Sequence, residues 1–453
     1  MDRRAEERPA GVSERARQAG EAEARRERWA WVEPSVWTDR MLAALENGVK
    51  GGRWFSLIDK VYRKENLNRA YKKVKKNGGA GGVDHVTVEG FEKNLEGELT
   101  KLSEDLRTGT YEPQAARRAY IEKPGSREKR PLGIPTVRDR VCEGALRQVL
   151  EPIFEREFAG NSYGFRPGRS AKDALREGEH GLKAGKVFVV DADIKRYFDT
   201  IPHEPLLKRI AERIADGRVM GILQQMLERG VLENREWKDT EAGTPQGGVI
   251  SPLLANVYLS PLDHLMQRAG YTMIRYADDL VILCETQAEA EAAYGLLTAW
   301  VEAQGISLNG NKTRIVNMNE TGAGFDFLGY HIERTRRGSL DRWPRQKSMA
   351  KLKEKIRGLT HRANGKSLDE TIRLINRIAR GWFVYFKHSN RWTFRWLDGW
   401  IRGRLRAILR KRIHLRGRGR GRDHQRWNNS FFAKHGYFSL YDAHVAACRS
   451  VLR

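Results

Sequence analysis

Hydrophobic positions recur at helical spacing toward both ends of this chain and gather into short runs through its middle. Near the start, Met41, Leu42, Leu45 and Val49 fall on one face of a helix predicted within residues 36–62, which Gly51-Gly52 should interrupt before Trp54-Phe55. In the last quarter, Leu352, Ile356, Leu359, Leu368, Ile372, Leu374, Ile375 and Ile378 repeat at helical spacings among many Lys and Arg. That pattern predicts amphipathic helices, each with one apolar stripe. The middle reads differently. Val187-Phe188-Val189-Val190 is a buried-strand run, and Tyr271-Thr272-Met273-Ile274-Arg275 and Leu280-Val281-Ile282-Leu283-Cys284 are two more β-forming segments. Ala119-Tyr120-Ile121 and Leu132-Gly133-Ile134 flank a Pro-Gly turn studded with cations, from Lys123 to Arg130, and predict a second hairpin. The first thirty residues mix Glu, Arg and Ala with both signs interspersed and read as a solvated helix.

Between the runs at 271–275 and 280–284 stand Tyr276-Ala277-Asp278-Asp279, with no cluster of turn residues around them. The reading is a tight hairpin whose tip carries two adjacent acids. An isolated Asp-Asp is equally well explained by turn preference. Two anions at the bend of a buried strand pair are nevertheless costly unless a cation joins them. Asp193 ends the Val187–Val190 strand far upstream, a separation ordinary for neighbouring strands of one sheet. Asp193, Asp278 and Asp279 together predict a divalent metal site. Hard oxygen ligands suit Mg²⁺, which fills its shell with water and substrate phosphates. Two such ions could clamp the attacking 3′-hydroxyl and the leaving pyrophosphate of a nucleotide transfer.

Charge then sorts the chain into two parts. Of a formal net charge of +25 over 453 residues, the whole excess lies in residues 334–453, which hold 32 Lys and Arg against 7 Asp and Glu. The remaining residues balance at 51 of each sign. A neutral body joined to a basic tail points to a polyanion gripped outside the chemical site. Nucleic acid is favoured over a membrane surface, because no long apolar span is present. The cysteines, Cys142, Cys284 and Cys448, are widely spaced and odd in number, making neither a disulfide framework nor a zinc site. Cys142 and Cys284 read as small core residues. The N-terminus lacks the apolar segment of a secretory signal, so a cytoplasmic location is expected.

Several blocks follow one another in an order that resembles the bacterial group II intron-encoded reverse transcriptases and maturases, from about Ser56 to about His444. They are Glu65–Tyr71, Gly78–Asp84, Arg130–Arg140, Ser162–Ser170, the Asp193 block, Gly243–Pro252, the Asp278-Asp279 hairpin, Leu308-Asn309 with Lys312-Thr313, and Phe327–Tyr330. The resemblance implies an α+β right-hand polymerase: fingers, a palm with an antiparallel sheet, and a helical thumb with a basic C-terminal extension. Expected boundaries are a charged N-terminal extension at 1–50, a fingers extension at 51–115, fingers and palm at 116–338, a thumb or maturase domain at 339–410, and a basic nucleic-acid-binding segment at 411–453. By the same resemblance the chemistry is RNA-directed DNA synthesis, with Asp193 and Asp278 on two Mg²⁺, the Ile194 carbonyl assisting, and Asp279 in support. Lys123, Arg130 and Gln246 match positions that contact the incoming nucleotide. Phe198 matches a bulky aromatic that excludes a ribose 2′-hydroxyl by steric clash. Asp191 and Asp199 read as supporting or capping residues.

The implied partners are the parent intron RNA, an RNA template with a DNA primer, target DNA and dNTPs, with no membrane. The maturase role is to bind the intron so that the ribozyme folds, splices and can be copied into DNA. Lys72, Lys73, Lys75 and Lys76 could contact phosphate, although a solvated helix face explains their charge as well. The thumb is expected as a three-helix bundle with most of its aromatics in the core. Arg416, Arg418, Arg420 and Arg422 alternate with glycine in a run expected to be flexible and to order on nucleic acid. Phe438–His444 resembles a closing motif, and the HNH endonuclease that many relatives carry is not expected. Two alternatives remain: a splicing cofactor with little polymerase use, and a reverse transcriptase co-opted by its host in repair or defence.

Overall fold

The computed structural model describes residues 23–122, 129–234, 236–240, 242–245, 247–335, 338–361, 365–415 and 417–451. Lys123, Gln246 and Arg416 lie outside the described residues, as do the first 22 positions. The strands follow in chain order as β1 (Ala116–Glu122), β2 (Lys129–Ile134), β3 (Phe188–Asp193), β4 (Val231–Glu233), β5 (Glu236–Lys238), β6 (Thr272–Tyr276), β7 (Asp279–Cys284), β8 (Arg314–Asn317), β9 (Gly324–Phe327), β10 (Tyr330–Arg334) and β11 (Leu340–Pro344). They form three sheets, ordered β2-β1-β4-β5, β6-β7-β3-β8 and β11-β10-β9.

The β6-β7-β3-β8 sheet is antiparallel throughout and carries the expected acids. Its strands are buried on both faces. Val190, Ala192, Leu280, Ile282 and Cys284 pack into the main core, whereas Val189, Val281 and Leu283 pack on the other side with Phe325, Phe327 and Tyr330. Double-sided burial explains why these segments read as continuous apolar runs rather than as alternation. Cys142 and Cys284 are buried core residues as expected, and burial pushes the Cys284 thiol up to about 12. Among the described residues, no helix is long and apolar enough to cross a membrane.

The N-terminal region departs from the expected solvated extension. Trp29, Val32, Val36, Trp37, Leu42 and Leu45 join the main core, and the Trp37 indole donates to the Gln148 carbonyl at 3.0 Å. Apolar residues three and four apart supply a docking face even among many charges. The helix spans Asp39–Asn47 and ends at Gly48, whose φ of +89° suits a helix terminus, rather than at Gly51-Gly52.

The C-terminal bundle is built from helices Gln346–Leu359, Leu368–Phe386 and Arg391–Arg412. It does not stop at residue 410. Trp427, Phe432, Tyr437 and Leu440 share one core with Leu352, Ile372, Phe394 and Ile401, and a further helix, Leu440–Val451, packs alongside. Buried Asp398 ties the two parts together, accepting from the Tyr437 hydroxyl at 2.8 Å and the Tyr441 amide at 2.9 Å. The Arg-Gly run is exposed at Arg418, Arg420 and Arg422 and touches the bundle at Gly419. A Cβ at Gly419 would lie 3.1 Å from that of Arg406, and the Asp423 carboxylate accepts from the Arg420 amide at 2.9 Å. At Gly419 the missing side chain permits this close approach. Of the aromatics expected in the core, Phe383, Phe386 and Phe394 are buried, but Trp392 and Trp396 are exposed.

Candidate active site in the palm

β6 and β7 meet in a two-residue turn. Tyr276 pairs with Asp279, leaving Ala277 and Asp278 at the bend. Ala277 has φ +59°, a left-handed conformation that costs a residue with a Cβ about 1–2 kcal/mol. Such strain persists only where neighbours over-determine it, and they do so here. Gly164 abuts the turn so closely that a Cβ there would lie 2.4 Å from the Ala277 nitrogen. From beneath, the Arg275 guanidinium donates to the Ala277 carbonyl at 3.0 Å, to Asn256 Oδ1 at 3.0 Å and to both Asp263 oxygens at 2.7 and 2.5 Å. Arg275 and Asp263 are fully buried. Burial works against the guanidinium, but Asp263 outweighs it and holds Arg275 above its ordinary value.

β3 lies beside β7 in a register that sets Asp193 directly opposite Asp279, one residue from Asp278. The sheet therefore brings together the three carboxylates named from sequence. Burial, then the like charge of Asp193, raises Asp278, while Arg130 and Lys312 oppose the shift. Burial, with Asp278 and Asp191 adding to it, lifts Asp279 to about 7, and a hydrogen bond from the Leu328 backbone counteracts this. Asp191 rises to about 6 through burial, with Arg314 at 3.7 Å pulling the other way. The Ile194 peptide is fixed at the same spot: its N–H points to the Asp278 carbonyl at 3.5 Å, and Ile194 bridges Leu308.

Two residues without a role in the sequence reading complete the cluster. The Lys312 ammonium sits 2.8 Å from Asp193 Oδ2, and the Asn309 side chain donates to the same oxygen at 3.2 Å. Lys312 thus occupies the place a cation would take. Asp193 and Asp278 offer hard oxygen donors of the kind a divalent ion takes. Among the described residues, however, no group of three or more His, Cys, Asp or Glu side chains is gathered to hold one, and the 61% exposed Lys312 supplies the positive charge instead. The motif from Leu308 to Thr313 flagged this segment, but only the fold shows which acid it meets.

Phe198 follows Asp193 on the short helix Tyr197–Thr200 and is partly buried. Phe165 joins it edge-on at 6.4 Å and reaches Tyr276 at 6.3 Å, so an aromatic group borders the turn. Phe165 belongs to the Ser162–Ser170 block, whose sequence alone gives it no role. The segment bearing Gln246 passes next to Phe198: the Thr244 amide donates to the Phe198 carbonyl at 2.7 Å, and a Cβ at Gly247 would strike the Gly133 carbonyl of β2 at 2.6 Å. Buried Glu143, paired with Arg229 at 2.9 Å, anchors the same segment by accepting from the Val249 amide. Arg130 stands on β2 opposite Ile121, exposed, with its charge acting on Asp278.

The basic residues named from sequence do not converge on this cluster. Lys72, Lys73, Lys75 and Lys76 line the outer face of helix Lys64–Asn77, whose other face buries Leu67, Ala70 and Val74. Lys75 is paired with Glu92. Arg418, Arg420 and Arg422 are exposed at the far end of the bundle. Asp199 lies inside the turn Tyr197–Thr200 rather than at its cap, its amide donating to the Arg196 carbonyl at 2.8 Å.

Comparison with known proteins agrees with this geometry. Residues 121–332 match the family described as reverse transcriptase (RNA-dependent DNA polymerase), and residues 349–427 match the group II intron, maturase-specific domain. The chain is 35% identical to Protein YkfC of Escherichia coli over 298 residues, covering 56% of this chain and 76% of that protein. It is 42% identical over 196 residues to the group II intron-encoded protein LtrA of Lactococcus lactis, covering 43% of this chain and 32% of LtrA. A putative COX1/OXI3 intron 1 protein of Saccharomyces cerevisiae is 25% identical over 395 residues, 74% of this chain and 45% of that protein. The matched segment therefore spans most of YkfC but about a third of LtrA.

Proposed function

The chain belongs to the family of group II intron-encoded reverse transcriptases, RNA-directed DNA polymerases that carry a maturase-specific domain, and we propose that its palm copies RNA into DNA while its basic bundle holds the parent intron RNA for splicing. The single observation that carries the polymerase assignment is the convergence of Asp193 and Asp278 at one sheet end, with Lys312 paired to Asp193. Reverse transcriptases are metal-dependent. The finer proposal is two Mg²⁺ held by Asp193, Asp278 and the Ile194 carbonyl, supplying the charge that activates a primer 3′-hydroxyl and neutralises pyrophosphate.

The chain's own groups then divide the work. Lys312 releases Asp193 and becomes free to meet phosphate. Asp279, raised by its neighbours, stays a supporting acid rather than a permanent ligand. Arg130, with Lys123, neutralises the triphosphate of the incoming dNTP, and Gln246 borders that nucleotide. Phe198, backed by Phe165, fills the space a 2′-hydroxyl would need. The substrates are an RNA template with a DNA primer, and target DNA into which the intron is copied in retrohoming. Lys72, Lys73 and Lys76, with the arginines from Arg416 to Arg422, would contact nucleic-acid phosphate. The proposed location is the cytoplasm.

The test is primer extension on an RNA template with dNTPs and Mg²⁺, beside Asp278→Ala. Loss of a metal ligand should lower extension on the order of 10³-fold, since such ions supply several kcal/mol of charge stabilisation. RNA binding without extension by the unaltered protein would leave only the splicing role.

A further inference from the structure

The outer face of helix Arg391–Arg412 is built unlike the rest of the bundle. Trp392, Trp396 and Trp400 recur every fourth residue, and helical geometry sets Gly399 and Gly403 on the same stripe. Trp392 and Trp396 are 51% and 50% exposed, whereas Trp400, at the inner end of the stripe, is partly buried against the bundle core. A Cβ added at Gly399 or Gly403 would meet nothing within 4 Å, so packing explains neither glycine, although each weakens the helix relative to alanine. Cations lie against every ring. Arg395 and Arg391 stand 5.3 and 5.5 Å from Trp392, Lys353 stands 4.2 Å from Trp396, and Arg404 and Arg357 stand 5.6 and 5.9 Å from Trp400. The helix's one carboxylate, Asp398, points the other way and is buried. Exposed Glu354 flanks the patch from the neighbouring helix.

This face is distinct from a second basic surface. Lys351 and Lys355 lie on the opposite side of helix Gln346–Leu359 from Lys353 and Arg357, at 100° per residue. With Arg377 they rim a cavity of about 390 Å³ floored by Leu352, Trp382 and Phe386. Ser348 lines that cavity too, and its hydroxyl donates to the Gly329 carbonyl at 3.3 Å, next to the Leu328 peptide that reaches Asp279. The Lys351 side therefore adjoins the palm, and the tryptophan stripe lies across the helix from it.

We propose that the tryptophan stripe is a docking surface for an unpaired stretch of the intron RNA, separate from the palm-side face that meets the template-primer duplex. The inference rests on the maturase reading given above. Flat apolar rings alternating with phosphate-binding donors match a strand that offers base faces and phosphates in turn. A duplex hides its base faces, and an acidic peptide offers none. The two open glycines leave room for a backbone to lie against the helix.

Two variants of the full chain test this, read with a labelled unstructured single-stranded RNA in the presence of saturating template-primer duplex, and by primer extension. Trp392→Ala/Trp396→Ala should weaken single-strand binding about tenfold or more, given the usual worth of base–aromatic stacking. Gly399→Glu improves helix propensity and its Cβ meets nothing within 4 Å, so the fold should hold, while its carboxylate should weaken the same binding severalfold. Primer extension should stay within about twofold in both. Unchanged single-strand affinity in both variants overturns the proposal. So does a loss of extension in step with the loss of binding, which would make the stripe part of the template-primer grip. Stripe-dependent binding by a protein that extends no primer would uphold the docking surface and instead refute the polymerase assignment.

Discussion

The palm and the bundle handle charge by opposite rules. In the palm, Asp191, Asp193, Asp278 and Asp279 crowd two adjacent strands and one turn, and burial raises Asp191, Asp278 and Asp279. Such groups need fixed compensation, and each partner is specific: Lys312 on Asp193, Arg314 near Asp191, and beneath the turn the buried Arg275–Asp263 pair. In the bundle, cations such as Arg373, Arg377, Arg380 and Arg395 stand exposed on helix surfaces. Water and salt screen them, so no single partner is required. The palm should accordingly fail at single positions, whereas the bundle should lose function by degrees.

The largest break in that comparison is expected at Arg275. Arg275→Met leaves Asp263 buried and unpaired, a loss of about 3–5 kcal/mol, read by urea unfolding. Adding Asp263→Leu should restore much of the stability but not primer extension, because the bond to the Ala277 carbonyl is still missing. Recovery of both would reduce the pair to a stability device.

Next comes Phe198→Ala, which opens the space beside the sugar. The ratio of kcat/KM for dNTP over rNTP should fall by roughly tenfold to a hundredfold. Unaltered sugar selectivity would remove Phe198 from that role.

A smaller, graded effect should follow in the bundle. Lys351→Ala/Lys355→Ala should reduce the slope of log affinity against log salt for template-primer by about one per lost phosphate contact, with little change in unfolding. An all-or-none loss would place these lysines under the palm's rule.

The smallest prediction concerns His331, whose pKa is raised by its hydrogen bond with Asp326 at 2.8 Å. A histidine raised in the fold contributes stability fully present below its unfolded value of about 6.5 and lost as pH rises through the folded one. Asp326→Asn should therefore flatten the fall in Tm across that window. An unchanged pH profile would show that the pair adds nothing measurable.

Local chemistry made part of this molecule legible from sequence. The solid runs at 187–190 and 280–284 read as buried strands, and two acids between β-forming segments read as a bend, because those inferences depend on neighbours in the chain. The resemblance carried by the ordered blocks then identified the polymerase. What sequence could not supply were partnerships across distance. Arg275 gives no sign that Asp263 will neutralise it, Lys312 none that it will find Asp193, and the charged segment around Trp29 and Trp37 none that it will dock beside Gln148. Within helix Arg391–Arg412, Phe394, Leu397, Ile401 and Leu405 face the bundle core, whereas Trp392 and Trp396 are exposed. Only the tertiary structure chose which faced inward, because hydrophobic burial is non-directional and is settled by which neighbouring helices arrive to cover a face.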